Sequence, residues 1–246
     1  MANTYLGNKG YSIYKNSISI KEQNYIKSEL SVKPYVPKSS INTAIEFPVY
    51  RESDQKLYVP RFFGETLYGK PNLVKIKPGL DISLNFTGKL MEFQTPIIDA
   101  YLNKAYSTGG GLLEVGCGCG KTVMALYIIS ALKRKTLVMV HKEFLLEQWV
   151  ERINQFLPNA KIGRMQGQIV DTDDKDIVIG MIQSLSKKTY PQSILDEFGL
   201  TIIDETHHIA AEVFSNSLFQ IVTPYMLGLS ATMNRKDGLS KVFKMF

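Results

Sequence analysis

Cysteine, tryptophan and histidine are scarce in this sequence: 246 residues hold two, one and three of them. Both cysteines, Cys117 and Cys119, fall in one glycine-rich stretch. Separated by a single residue, they are poorly placed to close a disulfide on each other, and they supply only half of a zinc site. A disulfide scaffold and a structural zinc domain are therefore excluded. The pair reads as small loop residues, and exposed thiols favour a reducing compartment. Long apolar runs are also missing. Nothing approaches the roughly 18 residues that cross a bilayer, and the first 30 residues lack the apolar core of a signal peptide. A cytoplasmic or nuclear setting, including a viral one, is expected. Hydrophobic content of 44% and charged content of 21% fit a globular domain with a substantial core.

Positive charge is present in excess, and it is unevenly placed. The chain carries a net +6. Residues 1–89 hold 13 Lys and Arg against 7 Asp and Glu, whereas residues 90–246 hold 16 of each. The first third also contains eight of the thirteen tyrosines, interleaved with basic residues at Tyr11 to Lys15 and at Leu57 to Phe62. Such a mixture suits a nucleic-acid track with stacking surfaces. It equally suits a small domain whose tyrosines form the core and whose lysines face water. Within this region Ser19 and Glu22 read as a capping box that opens a helix over 20–30. Phe47 to Arg51 and Lys56 to Phe62 suggest a hairpin, and Leu73 to Ile76 a further extended stretch. The expectation is a small basic α+β module over 1–89.

The richest stretch runs from Gly110 to Thr122, where an apolar run meets a glycine turn ending in Gly120-Lys121-Thr122. Gly116, Gly118 and Gly120 let the backbone turn sharply and present N–H groups to an anion. A helix starting at Lys121 adds its positive end to the same place. This spacing predicts a phosphate loop in which Lys121 reaches the β- and γ-phosphates of ATP and Thr122 holds Mg2+. Val115 departs from the strict pattern by occupying the first glycine position.

Downstream, apolar runs of strand length alternate with helical patterns. Thr136 to Val140, Asp176 to Met181, Leu200 to Ile203 and Tyr225 to Leu229 read as strands; Lys142 to Phe156 and Ala210 to Ile221 read as helices. That alternation predicts a parallel, doubly wound sheet over 90–246. Ligands in such sheets bind at the carboxyl ends of the strands. The glycine turn, Asp204-Glu205 and Ser230-Ala231-Thr232 all follow apolar runs, so all three can converge on one crevice. Asp204 is suited to Mg2+ and Glu205 to orienting an attacking water.

Taken together, these stretches resemble the superfamily 2 helicases of the DEAH or DExH type, most closely XPB-like translocases and helicases of large DNA viruses. The resemblance covers residues 90 to about 240 and implies a RecA-like phosphate-loop sheet flanked by helices. It rests on Leu90 to Gln94, Val115 to Thr122, Val140 to Trp149, Asp176 to Leu185, Asp204 to His207 and Gly228 to Gly238. The family's phosphate loop commonly lacks the first glycine, which accounts for Val115. The resemblance implies an adenine-reading role for Gln94, although Met91 stands where arginine is frequent. It implies a role for His207 in linking the nucleotide site to the coupling segment, and coupling by Ser230, Ala231 and Thr232. His141, Lys142, Gln183 and Ser184 become candidate nucleic-acid contacts, with DNA favoured over RNA. Trp149 is read as a core residue rather than a base-stacking surface. Arg164, Lys187 and Lys188 remain open between solvated charge and backbone contact.

The function implied is an ATP hydrolase that drives a nucleic-acid helicase or translocase. An RNA helicase, an ATP-gated binding module without turnover, and a small kinase are the competing readings. Intact Lys121, Asp204 and Glu205 oppose a pure switch, and a kinase needs a lid for which no segment is evident. The resemblance also implies a second RecA-like domain that supplies arginines to the γ-phosphate. No second glycine-turn unit precedes Phe246, so weak hydrolysis by these 246 residues alone is expected.

Overall fold

The computed structural model describes residues 2–33, 46–204, 211–231 and 240–246. They form two compact units: Met1–Ile76 with Ala210–Val222 and Asn234–Phe246, and Lys77–Ile209 with Thr223–Met233. The sequence divides at 89/90 instead and gives everything beyond to one domain. The physical reason for the difference lies in the last two helices, described below.

The first unit opens with a hairpin of β1 (Thr4–Gly7) and β2 (Gly10–Tyr14), in which the left-handed turn position falls on Gly10, φ 92°. Helix α1 (Ile20–Glu29) starts at the expected capping box: Glu22 N–H donates to Ser19 Oγ at 3.2 Å, and Ser19 N–H donates to the Glu22 carboxylate at 2.8 Å. Strands β3 (Ser31–Val32) and β4 (Phe47–Pro48) pair with each other. Strands β5 (Arg51–Glu52) and β6 (Lys56–Val59) form a hairpin shorter than the sequence suggests. Pro60 ends β6, because its fixed φ of −54° starts helix α2 (Arg61–Tyr68), so Arg61 and Phe62 are helical. Gly64 lets α2 lie directly on Tyr11: a Cβ there would sit 2.3 Å from the ring. Strand β7 (Leu73–Val74) completes a sheet ordered β5-β6-β2-β1-β7, antiparallel except for the β1–β7 pair.

The second unit starts with α3 (Gln94–Thr108), closed by left-handed Gly109, and β8 (Gly110–Glu114). Helix α4 (Lys121–Leu132) buries residues all round, as a helix enclosed by a sheet and its neighbours must. Next come β9 (Thr136–Val140), α5 (Glu143–Phe156), β10 (Ile162–Gln166), β11 (Ile169–Asp171) and β12 (Ile177–Met181). Short helices α6 (Ile182–Lys187) and α7 (Gln192–Leu195) precede β13 (Leu200–Ile203). After α8 (Ala211–Leu218) the chain forms β14 (Tyr225–Ser230), and it closes with α9 (Ser240–Met245).

The seven-stranded sheet is ordered β11-β10-β12-β9-β13-β14-β8, parallel throughout except for the β10–β11 pair. Strands β9 and β13 are buried at every position, which explains their unbroken apolar runs. Tyr101 ties α3 to the sheet by donating its hydroxyl to the Met226 carbonyl at 3.0 Å, and burial pushes its phenol far above the usual range. The expected α/β class, a parallel sheet between helices, is the observed one.

Helices α8 and α9 leave this sheet and belong to the first unit. There Phe214 packs tilted against Phe243 at 4.2 Å between ring centroids and edge-to-face against Phe246 at 5.7 Å, and Phe219 meets Phe246 edge-to-face at 5.1 Å. A helical period reveals an apolar face but not which sheet covers it. That is why residues 211–218 read as part of the motor.

Candidate nucleotide site

The register sets which loops meet. Ser230 pairs with Glu114 across β14 and β8, and Ile203 pairs with Gly228 across β13 and β14, so the carboxyl ends of these strands lie side by side. The glycine turn leaves β8 at this edge and is held there by Val115 N–H donating to the Ser230 carbonyl at 3.1 Å. Within the turn Gly118 (φ 79°) and Gly120 (φ 78°) are left-handed, conformations that disfavour any side chain. Gly116 has no such φ, and a Cβ there would meet only Cys119 Sγ at 3.7 Å.

Gln94 lies beneath the turn, 2% exposed. Its Nε2 donates to the Cys119 carbonyl at 3.0 Å and its Oε1 accepts from Met91 N–H at 3.0 Å. A Cβ on Gly120 would come within 2.5 Å of the same Nε2. The residue expected to read adenine is therefore also a prop for the loop. Lys121 opens α4, mostly buried, with Nζ 3.3 Å from the Val115 carbonyl.

Gly118, Gly120, Lys121, Thr122 and Asp204 line one cleft of about 520 Å³, together with residues of α5. Asp204 follows β13, is 6% exposed and is anchored by its own N–H to the Met139 carbonyl at 3.0 Å. Its carboxylate accepts the indole N–H of Trp149 at 2.8 Å. Trp149 is 1% exposed on the buried face of α5, which fits the core reading, but the bond gives it a second role. The sequence held a usable signal: a buried tryptophan N–H needs an acceptor. The Thr122 hydroxyl and the Asp204 carboxylate are oxygen donors of the kind that Mg2+ takes, and they share this cleft.

Of the residues expected to couple, Ser230 is 1% exposed at the end of β14 and Ala231 is half-buried next to it. Glu205, His207 and Thr232 lie outside the described residues, as does His208. The two candidate nucleic-acid motifs are brought together at the ends of adjacent strands β9 and β12: exposed Gln183 donates to the His141 carbonyl at 2.8 Å. Exposed Lys142 follows His141, with its ammonium 5.7 Å from the Phe144 ring centroid. Ser184 Oγ accepts from Gly167 N–H at 3.0 Å. Arg164 pairs with Glu147 at 3.0 Å, and Lys188 donates to the Gly167 carbonyl. Lys187 stays exposed.

The profile of the type III restriction enzyme res subunit matches residues 87–235, which contain every element of the cleft. The chain belongs to that family. Similar curated proteins include L396 of Acanthamoeba polyphaga mimivirus, provisionally named an ATP-dependent RNA helicase, 37% identical over 96% of this chain and 46% of its own length. DNA 3'-5' translocase XPB2 of Sulfurisphaera tokodaii is 33% identical over 63% of this chain and 33% of its own length. The chain thus spans less than half the length of either protein. Among solved structures, the UvsW helicase of bacteriophage T4 superposes with a TM-score of 0.65 at 13% identity, covering all of this chain and 97% of that one. The Sulfolobus solfataricus SWI2/SNF2 ATPase core in complex with dsDNA gives 0.55 at 18% identity over 70% of this chain and 37% of that one. At these identities the structural likeness establishes the fold. Family, relatives and fold together place residues 87–235 in a superfamily 2 helicase motor domain of RecA-like type.

Proposed function

We propose that the chain is the ATP-binding and hydrolysing part of a nucleic-acid helicase or translocase that acts on DNA. The observation that carries this reading is the convergence of Lys121, Thr122 and Asp204 in one cleft at the carboxyl edge of the sheet. The turn at 116–120 and the start of α4 receive the phosphates, with backbone N–H groups and the helix dipole favouring negative charge. Lys121 reaches the β- and γ-phosphates. Thr122 and Asp204 would hold Mg2+, which would supply positive charge to offset that of the phosphates. Glu205 orients and deprotonates the attacking water, and His207 with Ser230, Ala231 and Thr232 transmits the state of the site. His141, Lys142, Gln183 and Ser184 contact the nucleic-acid backbone. Gln94 reads adenine from its place beside the turn. The preference for DNA is supported by the likeness to the archaeal protein named a DNA translocase.

Titration with a fluorescent ATP analogue tests the site. The wild-type chain should bind in the presence of Mg2+, and Lys121→Ala should weaken binding at least about tenfold, a loss of about 1.4 kcal/mol. Glu205→Gln should bind as well as wild type yet lose hydrolysis. Equal binding by wild type and Lys121→Ala would contradict the assignment. DNA and RNA oligonucleotides of one sequence, compared by binding affinity at fixed salt, decide the polymer: tighter binding of RNA sinks the DNA reading.

A further inference from the structure

The sheet of the first unit has two unlike faces. Leu6, Tyr11, Ile13, Leu57 and Val59 point to one side and are buried. By register, Tyr5, Ser12 and Tyr58 form a row across β1, β2 and β6 on the other side, with Tyr14 opposite Lys56 beside it. Three lysines are ordered over these rings. Lys56 Nζ is 5.1 Å from the Tyr5 centroid and 4.8 Å from that of Tyr14, Lys75 Nζ is 4.4 Å from Tyr5, and Lys9 Nζ is 5.2 Å from Tyr58. Lys56 also donates to the Tyr5 hydroxyl at 3.2 Å.

A ring face attracts an ammonium group without neutralising it. Among the described residues no carboxylate lies within 4.0 Å of these three ammonium groups, whereas Lys15, Lys27 and Arg61 of the same unit each have a glutamate partner. The phenol of Tyr5 registers the imbalance. Burial pushes it up, but hydrogen bonds with Ser12 and Lys56 and the charges of Lys56 and Lys75 outweigh burial and hold it below its usual value. Gly7, Asn8 and the three side chains Tyr5, Tyr58 and Lys75 border a concavity of about 280 Å³ with Lys9 at its rim.

We propose that this open sheet face is a second nucleic-acid surface, which grips the phosphate backbone through Lys9, Lys56 and Lys75. Charge complementarity selects the occupant: three ordered, uncompensated cations suit a row of phosphates. The rings already carry ammonium groups, so they position the lysines rather than stack bases, and the contact is independent of sequence. The surface lies outside the motor motifs, and its role rests on the reading of the chain as a nucleic-acid motor.

The test is anisotropy of a fluorescein-labelled DNA duplex bound by the whole chain between about 50 and about 200 mM salt. Lys9→Ala/Lys56→Ala/Lys75→Ala should weaken binding at least about tenfold at ~100 mM salt and flatten the slope of log affinity against log salt by about 2 to 3. Lys9→Gln alone, at an exposed turn position between β1 and β2, should flatten it by about 0.9 with the melting temperature of the wild type retained. An unchanged slope in both variants, with wild-type binding intact, overturns this surface and leaves the motor reading standing. Absence of duplex and single-strand binding by the wild-type chain overturns both. A slope unchanged for DNA, with binding to phosphatidylserine vesicles lost, assigns the face to a membrane and overturns the proposal.

Discussion

The hydrogen bond from Trp149 to Asp204 is where core packing and chemistry meet in one side chain. A bond to a charged acceptor contributes about 1.5–3 kcal/mol, and it leaves the carboxylate with one preferred orientation. Trp149→Phe keeps the buried ring and removes only the donor. If Trp149 positions Asp204, the Mg2+ concentration for half-maximal nucleotide binding should rise about 10- to 100-fold in this variant. An unchanged Mg2+ midpoint returns Trp149 to a purely packing role. The glycines make a sharper contrast, because in the sequence Gly116, Gly118 and Gly120 look equivalent. Only the last two are left-handed, and only at Gly120 would a Cβ strike Gln94. Gly120→Ala should lower stability by about 1–2 kcal/mol, and Gly116→Ala should leave the melting temperature unchanged. Composition showed that a turn was needed; the backbone angles that rank its members are not written in residue type.

At the scale of elements, legibility followed burial. β9 and β13 announce themselves because they are covered on both faces and so are apolar at every position. β1 and β2 do not, because Tyr and Ser alternate with apolar residues and a tyrosine serves either face: Tyr11 is core while Tyr5, Tyr14 and Tyr58 sit on the open side. β10 is half-buried and carries Arg164 and Gln166 on its wetter side, so its run is broken. α2 hid behind aromatic residues of high strand propensity, and the decisive residue was Pro60. Where a local signal is self-contained it sufficed, as in the reciprocal bonds of Ser19 and Glu22. Removing that cap with Ser19→Ala should cost about 1 kcal/mol in denaturant unfolding; no change would show that the helix is held by its packing alone.

At the scale of the whole molecule, the chain passes between its two units four times, after residues 76, 209, 222 and 233. The sequence could not show this, since the apolar faces of α8 and α9 carry no label for the sheet they complete. Phe214 makes the point measurable. It is 1% exposed in the first unit, and Phe214→Ala should cost about 3–5 kcal/mol although it lies between two motor motifs. A loss below about 1 kcal/mol would mean that α8 adds little to that unit. Deletion of residues 1–76 should strand Phe214, Phe219, Phe243 and Phe246 without their cover and produce aggregation, seen as early elution in size-exclusion chromatography.

The same threading has a consequence for descent. An accessory unit encoded upstream of a motor can ordinarily be exchanged by one recombination event, because its gene segment is continuous. Here one of its helices, α8, is written inside the motor's own coding region, and a second, α9, follows the segment that carries Ser230. A donor sequence replacing only the first 76 codons would inherit helices fitted to a different sheet. The basic face and the nucleotide cleft are thus bound to be passed on together.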